Sequence, residues 1–339
     1  MRRGSIASLL AIGVVAGGIA AAAAVLLPWL PTDASREAGR IDFIFWFVVI
    51  ICIVIFAIVA AAILYSVVRF RAAPDDLEDG PPIHGHTALE ITWTLIPTLL
   101  VTAIGIASAI VLSRNDAAGK DPLRVNVSAQ QFAFSFSYPA ANGLTSGTLM
   151  LPEGRSTVLH MTSKDVIHAF FVPEFRQNED ILPGMSTTLV ITPTRLGTYP
   201  VICNELCGLG HALMRTTVQV LTPTQFAKWL KSQSAAISSP NPGVAGKAVF
   251  ANNGCGACHT LTAAGAKGNI GPDLDKLRAY ATQAKQPLEP FVRQSIVSPN
   301  AYIQPGFPKN VMPQTFGSSL TKAQLGALVQ YLISSSGKG

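Results

Sequence analysis

The sequence predicts a multi-domain membrane protein: a two-helix transmembrane hairpin behind an N-terminal apolar segment, then a β-sandwich, then a separate C-terminal domain. Three observations carry this prediction. Two apolar runs, within residues 42–68 and 91–113, are long enough to cross a bilayer as helices. Residues 121–222 change to short alternating segments punctuated by Pro and Gly, the texture of a sandwich. A polar Ser/Pro/Gly stretch at 231–243 then reads as a linker.

Composition agrees. Of 339 residues, 49% are hydrophobic and 13% charged, which suits a chain partly in lipid and partly in water. The net charge is +6, but no run of Lys and Arg is interleaved with aromatics. Nucleic acid is therefore not expected as a partner.

The chain opens with Met1-Arg2-Arg3 and a long Ala/Gly/Leu/Val run, a charged n-region followed by an apolar h-region. Residues 1–34 are read as a signal sequence cut near Ala34, the preferred form, or as a retained N-terminal anchor. The hairpin occupies 42–113. Its first span, Phe43–Val68, carries Trp46 and Tyr65 near its ends, and Arg69 and Arg71 follow at once. Those cations place that end in the cytoplasm. The loop Ala72–Thr87, with His84 and His86, is rich in Pro, Gly and acid and reads as solvated. The second span, Ile91–Ser113, then exits on the outer side. Cys52, mid-span, reads as a small core-like residue.

The sandwich is placed at 120–230, with strands such as Leu123–Val127, Ser156–Thr162 and Ser186–Thr192. Aromatics at alternate positions in Gln131–Pro139 read as one face of a core strand. His160 reads as a satisfied strand histidine.

The chemistry concentrates in Cys203-Asn-Glu205-Leu-Cys207-Gly-Leu-Gly-His211-Ala-Leu-Met214. Gly208, Gly210 and the preceding Pro200 argue against a helix here. A loop folding back on itself would turn the two Cys, His211 and Met214 to one point. Thiolates and thioethers favour soft metals such as copper, and imidazole suits copper as well. Taken alone, the set could serve zinc, a disulfide or copper. Zinc sites usually pair Cys-x2-4-Cys with another Cys or His pair, without methionine. A disulfide would leave His211 and Met214 unexplained. A second imidazole stands upstream, in Asp165-Val-Ile-His168-Ala-Phe-Phe-Val-Pro-Glu-Phe175. One blue-copper ion needs a single Cys, two His and an axial Met; the second Cys argues for two ions.

These motifs resemble the dinuclear copper-A site of cytochrome c oxidase subunit II, and the resemblance covers about residues 40–230. It implies a cupredoxin-like Greek-key barrel on the outer face. It also implies two copper ions bridged by Cys203 and Cys207, with His168 and His211 as imidazole ligands, Met214 as a weak thioether and Glu205 through its carbonyl. In the family the Glu205 side chain also reaches a magnesium ion at the interface with subunit I. The implied partners are subunit I, subunit III and an upstream donor, cytochrome c or quinol:cytochrome c reductase. The implied place is the bacterial plasma membrane. Glu90, in Ala88–Pro97, matches a family carboxylate at the mouth of a proton path; the plain reading is a helix-start carboxylate favoured by the dipole. At Phe132 the family has the tryptophan through which electrons arrive from soluble cytochrome c. This chain departs from the pattern there, which weakens direct docking of a soluble donor.

A further domain is placed at 244–339. Cys255-Gly-Ala-Cys258-His259 is a haem attachment motif: two thiols bond to the vinyl groups and the next imidazole takes the iron. Gly246–Phe250 reads as its first helix and Leu320–Ile333 as its last. Gly271-Pro272-Asp273-Leu274 resembles the cytochrome c loop whose proline carbonyl orients the axial histidine. Met312 is the only methionine downstream of the motif and is the expected opposite ligand. Residues 243–336 thus resemble class I cytochrome c, which implies an all-α domain with one covalent haem c.

The expected function is subunit II of a haem–copper terminal oxidase. Electrons would pass from a donor through haem c and copper to subunit I, where oxygen is reduced to water with proton pumping. No residue of this chain is expected to be catalytic. The rivals are a quinol oxidase subunit, in which the copper ligands are normally missing, and a membrane-tethered carrier or copper chaperone. A nitric oxide reductase subunit with the same copper centre is the third.

Overall fold

A computed structural model describes residues 3–71, 82 and 85–337. Arg2, His84 and most of the 72–87 loop lie outside the described residues. The chain divides into two compact units, Met1–Thr32 with Gly39–Asn115, and Asp33–Ala38 with Asp116–Gly339.

The first unit is helical: α1 (Arg3–Leu26), α2 (Arg36–Arg69) and α3 (Thr87–Asn115). Three helices among the described residues, rather than two, are long and apolar enough to span a bilayer. The additional one is the N-terminal segment, whose Ala- and Leu-rich run favours an unbroken helix. All three expose large apolar side chains, as helices facing lipid do. Gly13 and Gly17 of α1 stand against Ala57 of α2, a small-residue contact of the kind membrane helices use. The Arg40 guanidinium donates to the Arg114 carbonyl at 2.7 Å and to Asn115 Oδ1 at 3.2 Å. The start of α2 thus meets the end of α3, as the ends of an antiparallel pair do. Cys52 is exposed on α2 rather than packed in a core.

The second unit begins with two five-stranded sheets. Their strands are β1 (Leu123–Gln130), β2 (Ala133–Tyr138), β3 (Leu144–Ser146), β4 (Leu149–Pro152), β5 (Thr157–Ser163), β6 (His168–Val172), β7 (Gln177–Ile181), β8 (Thr187–Ile191), β9 (Gly197–Ile202) and β10 (Arg215–Leu221). The orders are β3-β2-β1-β5-β8 and β4-β10-β9-β6-β7. Pairing is antiparallel except for β1 with β5 and β4 with β10. Burial alternates along β1 and β2, so the period-two aromatics do face a core. Phe134 and Phe136 both meet Phe170 of the other sheet edge to face, a favourable ring arrangement.

Helix α4 (Pro223–Ile237) closes one side of the sandwich. Thr222 and Gln225 form a capping box with Pro223 in the first turn, a strong start signal. Phe226 and Trp229 pack on Tyr138, with ring centroids 6.2 and 5.2 Å away. This anchoring carries the helix on to Ile237, so the first half of the expected linker is helical.

Residues 33–38 belong to the same body. Ala34 donates to the Glu174 carbonyl and accepts from Thr194, both at 2.9 Å. The Thr192 N–H donates to Glu37 Oε2 at 2.8 Å. Ala34 is fully buried in the sandwich core.

The C-terminal domain has α5 (Pro242–Asn252), α6 (Cys255–Cys258), β11 (Thr260–Leu261), β12 (Ala266–Lys267), α7 (Leu277–Gln283), α8 (Leu288–Val297), α9 (Phe316–Ser319) and α10 (Lys322–Ser335). It is mainly helical rather than all-α, because the turn through Gly265 lets β11 pair with β12. Its core gathers Val249, Phe250, Phe291, Val292, Val329 and Tyr331.

Candidate metal and haem sites

The first site lies in the loop between β9 and β10. These strands pair from Gly197 with Val220 to Ile202 with Arg215. Just beyond, the Cys203 N–H donates to the Met214 carbonyl at 3.1 Å. The ladder therefore clamps both ends of the loop, and residues 203–214 must turn back on themselves.

That turn brings the soft donors together. Cys203 Sγ is 3.8 Å from Cys207 Sγ and 3.3 Å from the Glu205 carbonyl oxygen. Cys207 Sγ is 3.6 Å from His211 Nδ1 and 3.8 Å from Met214 Sδ. His168 arrives from β6 with its Nδ1 3.9 Å from Cys203 Sγ. Both thiols are free. The ligating atoms of His168, Cys203 and Cys207 lie within 4.8 Å of one another. His168 and Met214 are fully buried. Two thiols, two imidazoles and a thioether, buried except for the half-buried His211, fit copper, a soft ion. Glu205 turns its backbone carbonyl toward Cys203 Sγ, while its side chain is exposed.

Two residues that sequence reasoning passed over hold this set in place. Asp165 accepts from His168 Nε2 at 2.8 Å, and from the Gln131 and Val166 N–H groups at 2.7 Å each. Such a carboxylate fixes the tautomer and aim of a ligating imidazole. Burial works to raise the Asp165 carboxyl, but these hydrogen bonds outweigh it and hold it low. Burial likewise disfavours a charged His168, yet its bonds to Cys203 and Asp165 outweigh that and raise it. Gln131 Nε2 donates to the Cys207 carbonyl at 2.6 Å. Asp165 stands three residues before His168, so its spacing was a usable signal. Gln131 is 76 residues from Cys207 and gave none.

The two thiols are unequal. Burial raises Cys203, but bonds from His168 and from the Ala169 and Glu205 backbone win and pull it down. Burial and then the charge on Cys203 push Cys207 up.

Phe132 lies over the same loop. A Cβ on Gly210 would come 2.5 Å from the Phe132 ring, and one on Gly208 would come 3.3 Å from it. Glu90 belongs to the helical unit, at the start of α3. Its carboxylate accepts from the His86 N–H at 3.1 Å, and His86 Nδ1 accepts from the Leu89 N–H at 3.3 Å. His160, on β5, contacts Arg124 at 3.3 Å and is not part of the donor set.

The second site is a crevice in the C-terminal domain. Cys255, Cys258, His259, Met312, Tyr302 and Phe307 are among the residues that line it. His259 Nδ1 donates to the Pro272 carbonyl at 2.8 Å. Burial lowers the His259 pKa, so the ring is neutral, with Nε2 as its remaining donor atom. Burial, aided by Cys258, pushes the Cys255 thiol up to about 12. Two thiols, one oriented neutral imidazole and a methionine in a largely apolar crevice fit a covalent haem.

The apolar helices, the clustered sulfurs in a sandwich loop and the haem-type crevice together define a membrane-bound electron-transfer protein. The chain belongs to the cytochrome c oxidase subunit II family. It matches "Cytochrome C oxidase subunit II, transmembrane domain" over residues 24–111 and "Cytochrome C oxidase subunit II, periplasmic domain" over 144–221. Residues 243–336 match "Cytochrome c". It is 33% identical over 254 residues to cytochrome c oxidase subunit 2 of Synechocystis sp., covering 61% of this chain and 76% of that one. It is 29% identical over 298 residues to cytochrome c oxidase subunit 2 of Alkalihalophilus pseudofirmus, covering 84% of each. A quinol oxidase subunit 2 of Bacillus cereus is 27% identical over 265 residues, covering 73% of this chain and 89% of that one.

Proposed function

We propose that the chain is the electron-accepting subunit II of a haem–copper terminal oxidase with its own cytochrome c domain. It passes electrons from a donor to subunit I, where oxygen is reduced to water and protons are pumped. One observation carries this reading: both thiols, two imidazoles and a thioether converge on one buried point in the β9–β10 loop. A quinol oxidase subunit would have no use for that full set. The copper pair and the haem supply one-electron couples when bound.

In this reading Cys203, Cys207, His168 and His211, with Met214 and the Glu205 carbonyl, would hold the copper pair. Cys255, Cys258, His259 and Met312 would hold haem c in the crevice they line. The chain's own work is to hold these donors still, because small rearrangement favours fast electron transfer. Asp165 fixes His168, Pro272 fixes His259, and the sandwich core keeps water from the sulfurs.

The exposed Glu205 carboxylate is the proposed magnesium contact at subunit I. Leu206 and Leu209, 83% and 97% exposed beside it, support a protein partner over this end, since such apolar surface marks interaction sites. Glu90 is proposed at the mouth of a proton path, subunit III as a further partner, and cytochrome c or its reductase as donor. The proposed place is a bacterial plasma membrane, with both metal domains outside and helices α2 and α3 as the hairpin. The N-terminal apolar segment, cut ahead of Ala34 or kept whole, is proposed as leader or anchor.

Purifying the intact complex tests the reading. Two coppers and one c-type haem per copy, with the near-infrared absorption of a mixed-valence copper pair, are expected. A single copper with an ordinary mononuclear spectrum would overturn it. The subunit that copurifies separates an oxygen reductase from a nitric oxide reductase.

A further inference from the structure

Four consecutive residues, from the last of β1 to the first of β2, touch the two sites in turn. Gln130 Oε1 accepts from Thr315 Oγ1 of the cytochrome domain at 3.0 Å. Gln131 holds the Cys207 carbonyl of the copper loop. Phe132 lies over Gly208 and Gly210 of that loop. Ala133 lines the haem crevice together with His259 and Met312. Thr315 is three residues beyond Met312, so its bond to Gln130 reaches the crevice wall that carries the second axial candidate.

A second contact is closer still. Gly147, in the turn between β3 and β4, faces Gly254, the residue just before the Cys255–Cys258 helix. A Cβ on Gly147 would lie 2.8 Å from Gly254 Cα, 2.9 Å from its nitrogen and 3.3 Å from the Ala251 carbonyl. All three are backbone atoms, so no rotamer change could relieve the clash. Only a glycine at 147 lets the haem-attachment helix come this near the sandwich.

We propose that these contacts form a built docking surface that seats the cytochrome domain on the copper domain, with residues 130–133 as the common wall of haem crevice and copper loop. The inference rests on the reading that both cofactors bind. It assigns the Gly147–Gly254 approach and the Gln130–Thr315 bond as positioning contacts. It also accounts for Phe132: a donor already seated on the wall needs no exposed aromatic to recruit it. Electrons from outside must then reach the haem at an edge away from Ala133.

The test uses the complete oxidase, comparing the unaltered chain with Gly147→Leu and Thr315→Val. Amide hydrogen exchange is followed in peptides spanning 130–133, 250–256 and 312–316. In Gly147→Leu, exchange there should rise roughly tenfold as the domains part. The one-electron step from ferrous haem c to the oxidised copper pair, with no bond or proton moved, should slow in parallel. Thr315→Val, which removes one hydrogen bond at nearly constant volume, should shift both in the same direction by less. The haem c band and the near-infrared copper band should be unchanged in both variants. Unaltered exchange and rate in both variants would overturn the docking surface. Absence of the copper band from the unaltered chain would instead refute the copper reading, and exchange would still decide the docking.

Discussion

Asp165 Oδ1 sits 2.8 Å from His168 Nε2, and the opposite ring nitrogen faces Cys203 Sγ at 3.9 Å. One carboxylate therefore decides which nitrogen of His168 is free to bind a metal. Replacing it with asparagine keeps the size but removes the charge. Asp165→Asn is expected to weaken copper binding by roughly 10- to 100-fold, the usual cost of losing such a partner. Copper competition against a chelator, with haem content as internal control, measures it; unaltered affinity would refute this role.

Tyr138 ties α4 to the sandwich and is buried with both hydrogen-bonding roles filled. Its hydroxyl donates to the Met150 carbonyl at 3.0 Å and accepts from the Met150 N–H at 2.7 Å. Tyr138→Phe strands both backbone groups and should cost about 1–3 kcal/mol. Burial, only partly offset by the Met150 bond, raises the Tyr138 pKa above the ordinary 10.0. A folded-state pKa above the unfolded one means that the folded chain keeps the proton longer. The stability tied to it is fully present below about pH 10 and is lost as pH rises further. Denaturant midpoints across pH 8–11 should fall less steeply in Tyr138→Phe than in the unaltered chain.

Gly210 lies under the Phe132 ring. A methyl there, 2.5 Å from the ring, forces ring or loop to move, and overpacking of this kind costs about 1–3 kcal/mol. Gly210→Ala should lower the melting temperature and shift the near-infrared copper band. Adding Phe132→Ala should recover part of the loss, since neighbours in contact are not additive. Strict additivity of the two changes would show that ring and loop do not touch.

Phe132→Ala alone reads a separate property. If the ring helps couple haem to copper, electron transfer between them should slow while both spectra stay intact. An unchanged rate would leave the ring a packing role only.

Residues 33–38 are stitched into the sandwich. Glu37→Ala leaves the Thr192 N–H without its 2.8 Å acceptor, at an expected cost of about 1–3 kcal/mol. A cut at Ala34 would also remove a fully buried core residue. Intact-mass measurement of the mature subunit is therefore expected to find Ala34 still present.

Much was legible in the residues alone, because some chemistry is written locally. Cys203 to Met214 carry their donors within one loop, and Cys255 to His259 carry theirs within five positions. The spans around Trp46 and Trp93 announce themselves by uninterrupted hydropathy, and the aromatics of β2 by a period of two. Other features depend on residues far apart in the chain. The first apolar segment reads as a leader or an anchor, because its composition serves either equally well. The polar residues 231–237 looked like linker because the signal for helix lay upstream, in Thr222, Gln225 and the Trp229 contact with Tyr138.

The sequence by itself determined the soft-donor residue types, their order along the chain and the presence of membrane, sandwich and cytochrome c parts. Spacing and hydropathy act over a few residues and survive without a fold. Only the tertiary structure decided which nitrogen of His168 faces the sulfurs, that Gln131 holds the copper loop, and that Gly147 meets Gly254. Each of these joins residues that the chain keeps apart, and backbone hydrogen bonds and core packing alone set their distances.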